Sequence, residues 1–322
     1  MFLPYTGSGH YCYANSLSMA LGPASPGPGV IEVLTGSPFG MQLLDGDTPF
    51  FDPAGWEGDI ALDAASAALG WECVRESGGT PEEAAARLTA ASPADPLLVG
   101  PVEMGLLTHA PGRGTPWGAD HYVIVLGVER GMVRFHDPAG FPFATLPIEQ
   151  FTAAWRTDSL VYGEPYTSRR GFVRTREVTA VEAIRASAST WVSWLRGDHG
   201  FPVSEGTLAN REAAETIAAM VEDGLPDKAR DQLAGFAIAV GTRRLADAGA
   251  CLAAAGADCA DARLGSFAEA ASAITARQAR LVGGLQYDLV AGRTAEAAAA
   301  LRALAPTYDE LADALAAFAS RQ

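Results

Sequence analysis

The sequence has no apolar run near the roughly 18 to 20 residues that a membrane-spanning helix needs. Its first basic side chain is Arg75, so it lacks the positively charged start of a secretory signal. Cysteine is scarce: Cys12, Cys73, Cys251 and Cys259 are too few and too scattered for a disulfide scaffold. No CxxC or HExxH occurs and the spacing fits no zinc pattern, so no metal and no cofactor are expected. Basic residues are outnumbered, 23 Lys and Arg against 38 Asp and Glu, for a formal net charge of −15. A chain this acidic repels a phosphate backbone, which argues against nucleic acid as a partner. These absences together predict a soluble, cytoplasmic protein with reduced thiols and no membrane partner.

What is present is a globular balance, 48% hydrophobic and 19% charged residues. At 322 residues the chain exceeds the usual single-core size, so two domains are expected. Residues 1–167 mix short β-branched segments with bounded helical ones. Strands are predicted at Pro96–Val102, His121–Val128 and Met132–His136. Helices are predicted at Tyr13–Leu21, Gly58–Leu69, Pro81–Ala91 and Ile148–Trp155. That order describes an α+β domain with an antiparallel sheet.

From Val178 the texture changes to Ala-rich helices. Val181, Ile184, Ala188, Trp191 and Leu195 form one stripe, and further helices are predicted over Glu212–Glu222, Asp227–Ala255, Ala260–Val290 and Thr294–Ser320. Residues 178–322 therefore read as an all-α domain. It could also present a homodimer face, which one sequence does not decide. Residues 168–177, with Arg169, Arg170, Arg174 and Arg176, read as an Arg-rich connector, either a solvated linker or an edge strand, or more sharply as a docking site for an acidic protein or a phosphate-bearing arm.

Two features carry chemistry. Cys12 precedes a helix-compatible stretch, and a thiol at a helix N-terminus feels the positive end of the macrodipole, which favours the attacking thiolate. The unpaired N–H groups there can also help to hold an oxyanion. The second feature is a hairpin, His121-Tyr-Val-Ile-Val-Leu-Gly-Val128, a Gly-containing turn, then Met132-Val-Arg-Phe-His-Asp137. A three-residue loop, Glu129 to Gly131, pairs Val123 with Asp137 and sets His121 and Asp137 on one face as diagonal neighbours. A two-residue loop would put the carboxylate on the opposite face, so the three-residue loop is expected. His121 is then a base and Asp137 its orienter.

Other polar residues read more blandly. His136 should point away from Asp137 by alternation, His10 serves a local turn or lends Cys12 a hydrogen bond, Asn15 is polar support behind Cys12 or a helix-face residue, and His199 caps a helix. The stretch His109–Trp117 is rich in Gly and Pro and reads as a mobile lid. Asp45, Asp47 and Asp52 look like loop chemistry without the EF-hand Glu.

The hairpin, its Asp137-Pro-Ala-Gly continuation and Leu146-Pro-Ile-Glu-Gln-Phe-Thr-Ala-Ala-Trp155 resemble the His/Asp half of papain-like cysteine peptidases that remove double-glycine leaders. Three further stretches resemble more closely the butirosin-biosynthesis protein H family, which joins a papain-like domain to a helical one. These are His10–Leu17, Ile31–Met41 and Pro101–Leu107. That resemblance implies a papain-like first domain and transfer of an acyl group from an acyl carrier protein, or another acyl thioester, to a small-molecule amine in natural-product biosynthesis. The donor would carry its acyl group on phosphopantetheine. It also implies Cys12 as nucleophile, His121 as base and Asp137 as orienter. The peptidases' oxyanion glutamine, six residues before the cysteine, is here Thr6, a departure that weighs against peptidase activity. A thioesterase or peptidase using the same triad is the alternative, and a non-catalytic scaffold with the same fold is a third reading.

Overall fold

A computed structural model describes residues 10–319. In chain order the elements are α1 (Cys12–Leu21), α2 (Pro28–Leu34), β1 (Gln42–Leu44), β2 (Thr48–Phe50), α3 (Gly58–Ala68), β3 (Trp71–Glu76), α4 (Pro81–Ala90) and β4 (Leu97–Glu103). They continue as β5 (Asp120–Glu129), β6 (Met132–Asp137), β7 (Phe141–Pro147), α5 (Ile148–Trp155), β8 (Ser168–Arg174), α6 (Ala180–Arg196), β9 (Leu208–Ala209) and α7 (Asn210–Asp223). The last are α8 (Asp227–Gln232), α9 (Ile238–Ala257), α10 (Ala262–Val290), α11 (Thr294–Leu304) and α12 (Thr307–Ala319). The architecture is α+β with antiparallel sheets in the first half and an all-helical second half. Among the described residues no helix is long and apolar enough to cross a membrane.

The chain divides into two compact units, residues 10–31 with 57–177, and residues 32–56 with 178–319. The first is built on one antiparallel sheet in the order β3-β8-β4-β5-β6-β7. Strand β5 lies in its middle and is buried on both faces, which is why its sequence reads as a continuous apolar run. Val123 and Val125 face a core shared with Leu88 of α4 and Phe151 and Trp155 of α5. Tyr122, on the other face, meets α1 through Tyr13, with ring centroids 6.0 Å apart. Gly100 of β4 is obligatory there: a Cβ would stand 2.3 Å from the Tyr122 ring.

The expected boundary at 167 and the Arg-rich connector are corrected by this sheet. Residues 168–174 form β8, inserted between β3 and β4 with Arg75↔Arg169 and Leu98↔Arg169 in register. Arg169 is fully buried, its guanidinium held by Asp59 and Asp63 at 2.8 Å each. Arg170 pairs with Asp95, Arg174 with Glu177, and Arg176 donates to the Ala67 carbonyl. These arginines are paired within their own unit, Arg169 in its interior and Arg170 and Arg174 at its surface. The carboxylates that neutralise the buried Arg169 lie more than a hundred residues away in sequence.

The second unit gathers the helices after residue 178 and adds residues 32–56, which the sequence reading had assigned to the first domain. Helix α6 starts at a capping box, Thr179 with Glu182, and ends on the left-handed Gly197. Helices α9 and α10 run antiparallel and close, because Gly256 faces Gly265, and Gly249 faces Thr275. The expected single helix over Asp227–Ala255 is instead α8, a π-helical turn at Leu233–Ala237, and α9. A small sheet, β2-β1-β9, is joined by a buried ion cluster in which Arg244 binds Glu32 at 2.8 Å and Asp52 at 2.9 Å. Asp52 is thus a buried partner rather than loop chemistry, whereas Asp47 forms an exposed pair with Lys228.

Candidate active site

The β5–β6 hairpin brings His121 and Asp137 together by a route the sequence did not disclose. Its turn has two residues, Arg130 and Gly131, both at positive φ (53° and 78°), with Glu129 paired to Met132. This is a primed turn matched to the strand twist, and the expected three-residue loop is corrected. By itself it would carry Asp137 to the wrong face. A bulge at Leu126 absorbs one residue of β5, however, so the register changes from Gly127↔Arg134 to Val125↔Phe135 and Ile124↔His136. Continuing that register sets Val123 across from Asp137, the pairing the sequence predicted, with the extra residue in the strand instead of the turn.

His121 is 3% exposed and Asp137 is fully buried, and the imidazole Nε2 lies 2.6 Å from Asp137 Oδ1. Asp137 accepts three further hydrogen bonds: the Ala139 N–H reaches Oδ1 at 2.7 Å, while His109 Nε2 at 2.9 Å and Arg113 Nη1 at 3.2 Å reach Oδ2. Burial alone would raise its pKa, but the charge of His121 and the bonds from His109, His121 and Ala139 hold it far below the usual carboxylate range. The reciprocal holds for His121. Burial would favour the neutral ring, yet Asp137 and Cys12 outweigh it and push the imidazole up to about 10.

Cys12 occupies the first position of α1. Tyr11 before it is left-handed (φ 69°, ψ 44°), an uncommon conformation for a non-glycine residue, and its carbonyl accepts from the Asn15 backbone and side chain. The other amide hydrogen of Asn15 goes to the His10 carbonyl at 2.9 Å, so Asn15 stitches the turn that presents the thiol. One turn on, Ser16 donates to the Tyr122 carbonyl at 3.2 Å, tying the helix to the strand residue next to His121. The half-buried Cys12 side chain neighbours the imidazole and, after Asp137, adds to the upward shift of its pKa. Because Nε2 is engaged by Asp137, Nδ1 is the nitrogen left for sulfur. The N-cap residue Tyr11 makes no side-chain cap bond, and the start of α1 brings the positive end of the helix to this point. Thr6 lies outside the described residues.

The structure therefore brings Cys12, His121 and Asp137 into one constellation within the first unit. It also recruits two residues that sequence reasoning left in a mobile lid. The 104–119 segment is pinned at both ends by Glu103, which is 1% exposed and accepts from the N–H groups of Gly105, Trp117 and Gly118 and from the Ser159 hydroxyl. Desolvation works against the Glu103 charge, but those donors lower its pKa overall. With Glu103 anchoring the loop, His109 and Arg113 reach Asp137. A Gly/Pro-rich composition hid this, and a carboxylate flanking such a loop was the only signal in the sequence.

The remaining expectations divide. His136 accepts from the Phe143 N–H and does not join the triad. His199 is not a cap but stacks on Trp194, with centroids 4.3 Å apart, and burial lowers its pKa. Burial raises the thiol pKa of Cys73, and burial with Asp247 nearby pushes Cys251 up to about 11. Among the described residues no three His, Cys, Asp or Glu side chains are grouped to hold a metal ion.

The fold and this constellation define an α+β unit with a Cys-His-Asp site, followed by helices. Comparison with known proteins finds that residues 203–316 match the model of the YobF C-terminal domain family. The chain is also similar to the uncharacterized protein YobF of Bacillus subtilis (strain 168), with 31% identity over 166 residues. That match covers 50% of this chain and 52% of the relative, so the chain spans about half the length of the curated protein it matches.

Proposed function

We propose that the chain is a cysteine-dependent acyltransferase with a papain-like catalytic unit, moving an acyl group from a thioester to an amine. The observation that carries the reading is the imidazole of His121, held by Asp137 through Nε2, with Cys12 beside the ring at a helix start. The motif resemblance to the butirosin-biosynthesis protein H family supports the donor and acceptor classes: an acyl carrier protein or other acyl thioester, and a small-molecule amine.

The steps follow from these groups. The Cys12 sulfur, as thiolate beside the imidazolium, attacks the thioester carbonyl, and the oxygen takes up charge at the N-terminal end of α1. Collapse expels the donor thiolate, which takes the proton from His121. With that proton gone, the ring is left neutral and basic. The amine then attacks the acyl-Cys12 carbonyl, His121 accepts its proton as the C–N bond forms, and the C–S bond breaks to return the starting pair. Asp137 keeps the ring oriented throughout.

The test is incubation of the full chain with an acyl thioester, with and without an amine. Amide formation that Cys12→Ala abolishes supports transfer. Free acid alone in both arms would assign the site to a hydrolase. If iodoacetamide labels Cys12 no faster than Cys73 and Cys251 near neutral pH, the site is not catalytic, since those two thiols are shifted away from the reactive form.

A further inference from the structure

Asp137 serves more groups than the orientation of one imidazole requires. Its Oδ2 takes Arg113 at 3.2 Å and His109 at 2.9 Å, and their side chains are only 4% and 6% exposed. The carboxylate can only accept, so His109 carries its proton on Nε2, while its Nδ1 has no partner and the ring lies edge-on to Phe135 and Phe141. A guanidinium buried to this degree needs its counter-charge in contact. Here the counter-charge is the same carboxylate that binds His121, so two cations share one anion. One of them never gives up its proton.

We propose that Arg113 is a positioning residue that holds down the proton affinity of His121 through the Asp137 carboxylate they share. The inference rests on the acyl-transfer reading of the Cys12–His121 pair and adds a reason for the loop to reach into the site. Arg113 neutralises part of the field that Asp137 offers the imidazolium and sets a like charge on its far side. Without it the ring holds its proton too firmly to pass it to a leaving thiol and then take one from an amine. The other charged groups around His121 are committed elsewhere. Asp120 on the same strand accepts from the Tyr162 hydroxyl, Glu103 on β4 is filled by its loop amides and Ser159, and Cys12 on α1 is the reacting partner. His10, two residues before Cys12, contributes its carbonyl to Asn15.

The experiment follows the His121 ring by NMR in histidine-labelled full-length protein, with the signal assigned by its loss in His121→Gln. Wild type is compared with Arg113→Gln, Arg113→Met and Arg113→Lys. Removal of the charge should move the His121 titration up by about one unit, and Arg113→Lys should restore most of it. Arg113→Gln keeps a donor to Asp137 and carries the test should Arg113→Met not fold. A slower Cys12 labelling rate with an unmoved titration in Arg113→Gln would make Arg113 a structural tether and overturn the proposal. Indiscriminate labelling of the cysteines in the wild type would instead remove the acyl-transfer reading, so the two failures are separable.

Discussion

Replacing Asp137 with Asn tests the site through both stability and chemistry. The change keeps the size of the side chain and removes its charge. Four donors now converge on two carboxylate oxygens, His121 and Ala139 on one and His109 and Arg113 on the other. An amide accepts at one atom only, so one of those pairs must face an N–H2 group. Both members of the His121–Asp137 pair are buried, so solvent screens little of the loss, and breaking such an arrangement costs about 3–5 kcal/mol. At ~2–4 °C per kcal/mol for a unit of this size, the unfolding midpoint should fall by roughly 6–20 °C.

The pH dependence of that loss is specific. Asp137 is depressed in the folded chain, so its contribution is present above the ordinary carboxylate pKa of about 3.9 and is lost as the solution is acidified. His121 is raised, so its contribution is complete below about 6.5 and is lost as pH climbs through about 10. The gap between wild type and Asp137→Asn should therefore be widest between about pH 4 and 6.5 and close on either side. Thermal unfolding of both proteins across pH 3.5–10, with iodoacetamide labelling of Cys12 at pH 6.5, measures it. Parallel curves across the whole range, or undiminished labelling in the variant, would refute the coupling of sulfur, ring and carboxylate.

How much of this was legible in the sequence varies with distance along the chain. The facing of His121 and Asp137 followed from alternation, which is local. The turn was misread because Arg130 at positive φ is unfavourable for a non-glycine residue, while Gly127, a glycine inside a strand run and at positive φ, was the mark of the bulge beside it. The two errors cancelled at the site. Strands β3 and β7 lie at the sheet edges: β3 was missed because it is largely exposed and mostly polar, and β7 because Pro142 and Pro147 interrupt its run. Strand β8 reads as a linker or an edge strand, and its interior place in the sheet was hidden for a different reason. Arg169 looks solvent-seeking until α3 brings Asp59 and Asp63 to it, and that pairing is visible only in three dimensions.

Two further predictions test these corrections. Arg169→Met should destabilise the first unit by about 1.5–3 kcal/mol, read from urea unfolding, because it removes the charged hydrogen bonds to Asp59, which keeps Arg75 at 2.6 Å, and to the half-exposed Asp63; unchanged stability would return the cluster to a surface role. Deleting Leu126 separates the two accounts of the hairpin. If the strand holds the extra residue, deletion removes the bulge and leaves Val125 on Phe135 and Val123 across from Asp137, so the His121–Asp137 bond and selective Cys12 labelling survive. The cost is about 1.5–3 kcal/mol of lost Leu burial. If the turn held it, the same deletion would slip the register by one and carry His121 to the face opposite Asp137. A folded deletion variant with no preferential Cys12 labelling would therefore show that the bulge is not what sets the catalytic register.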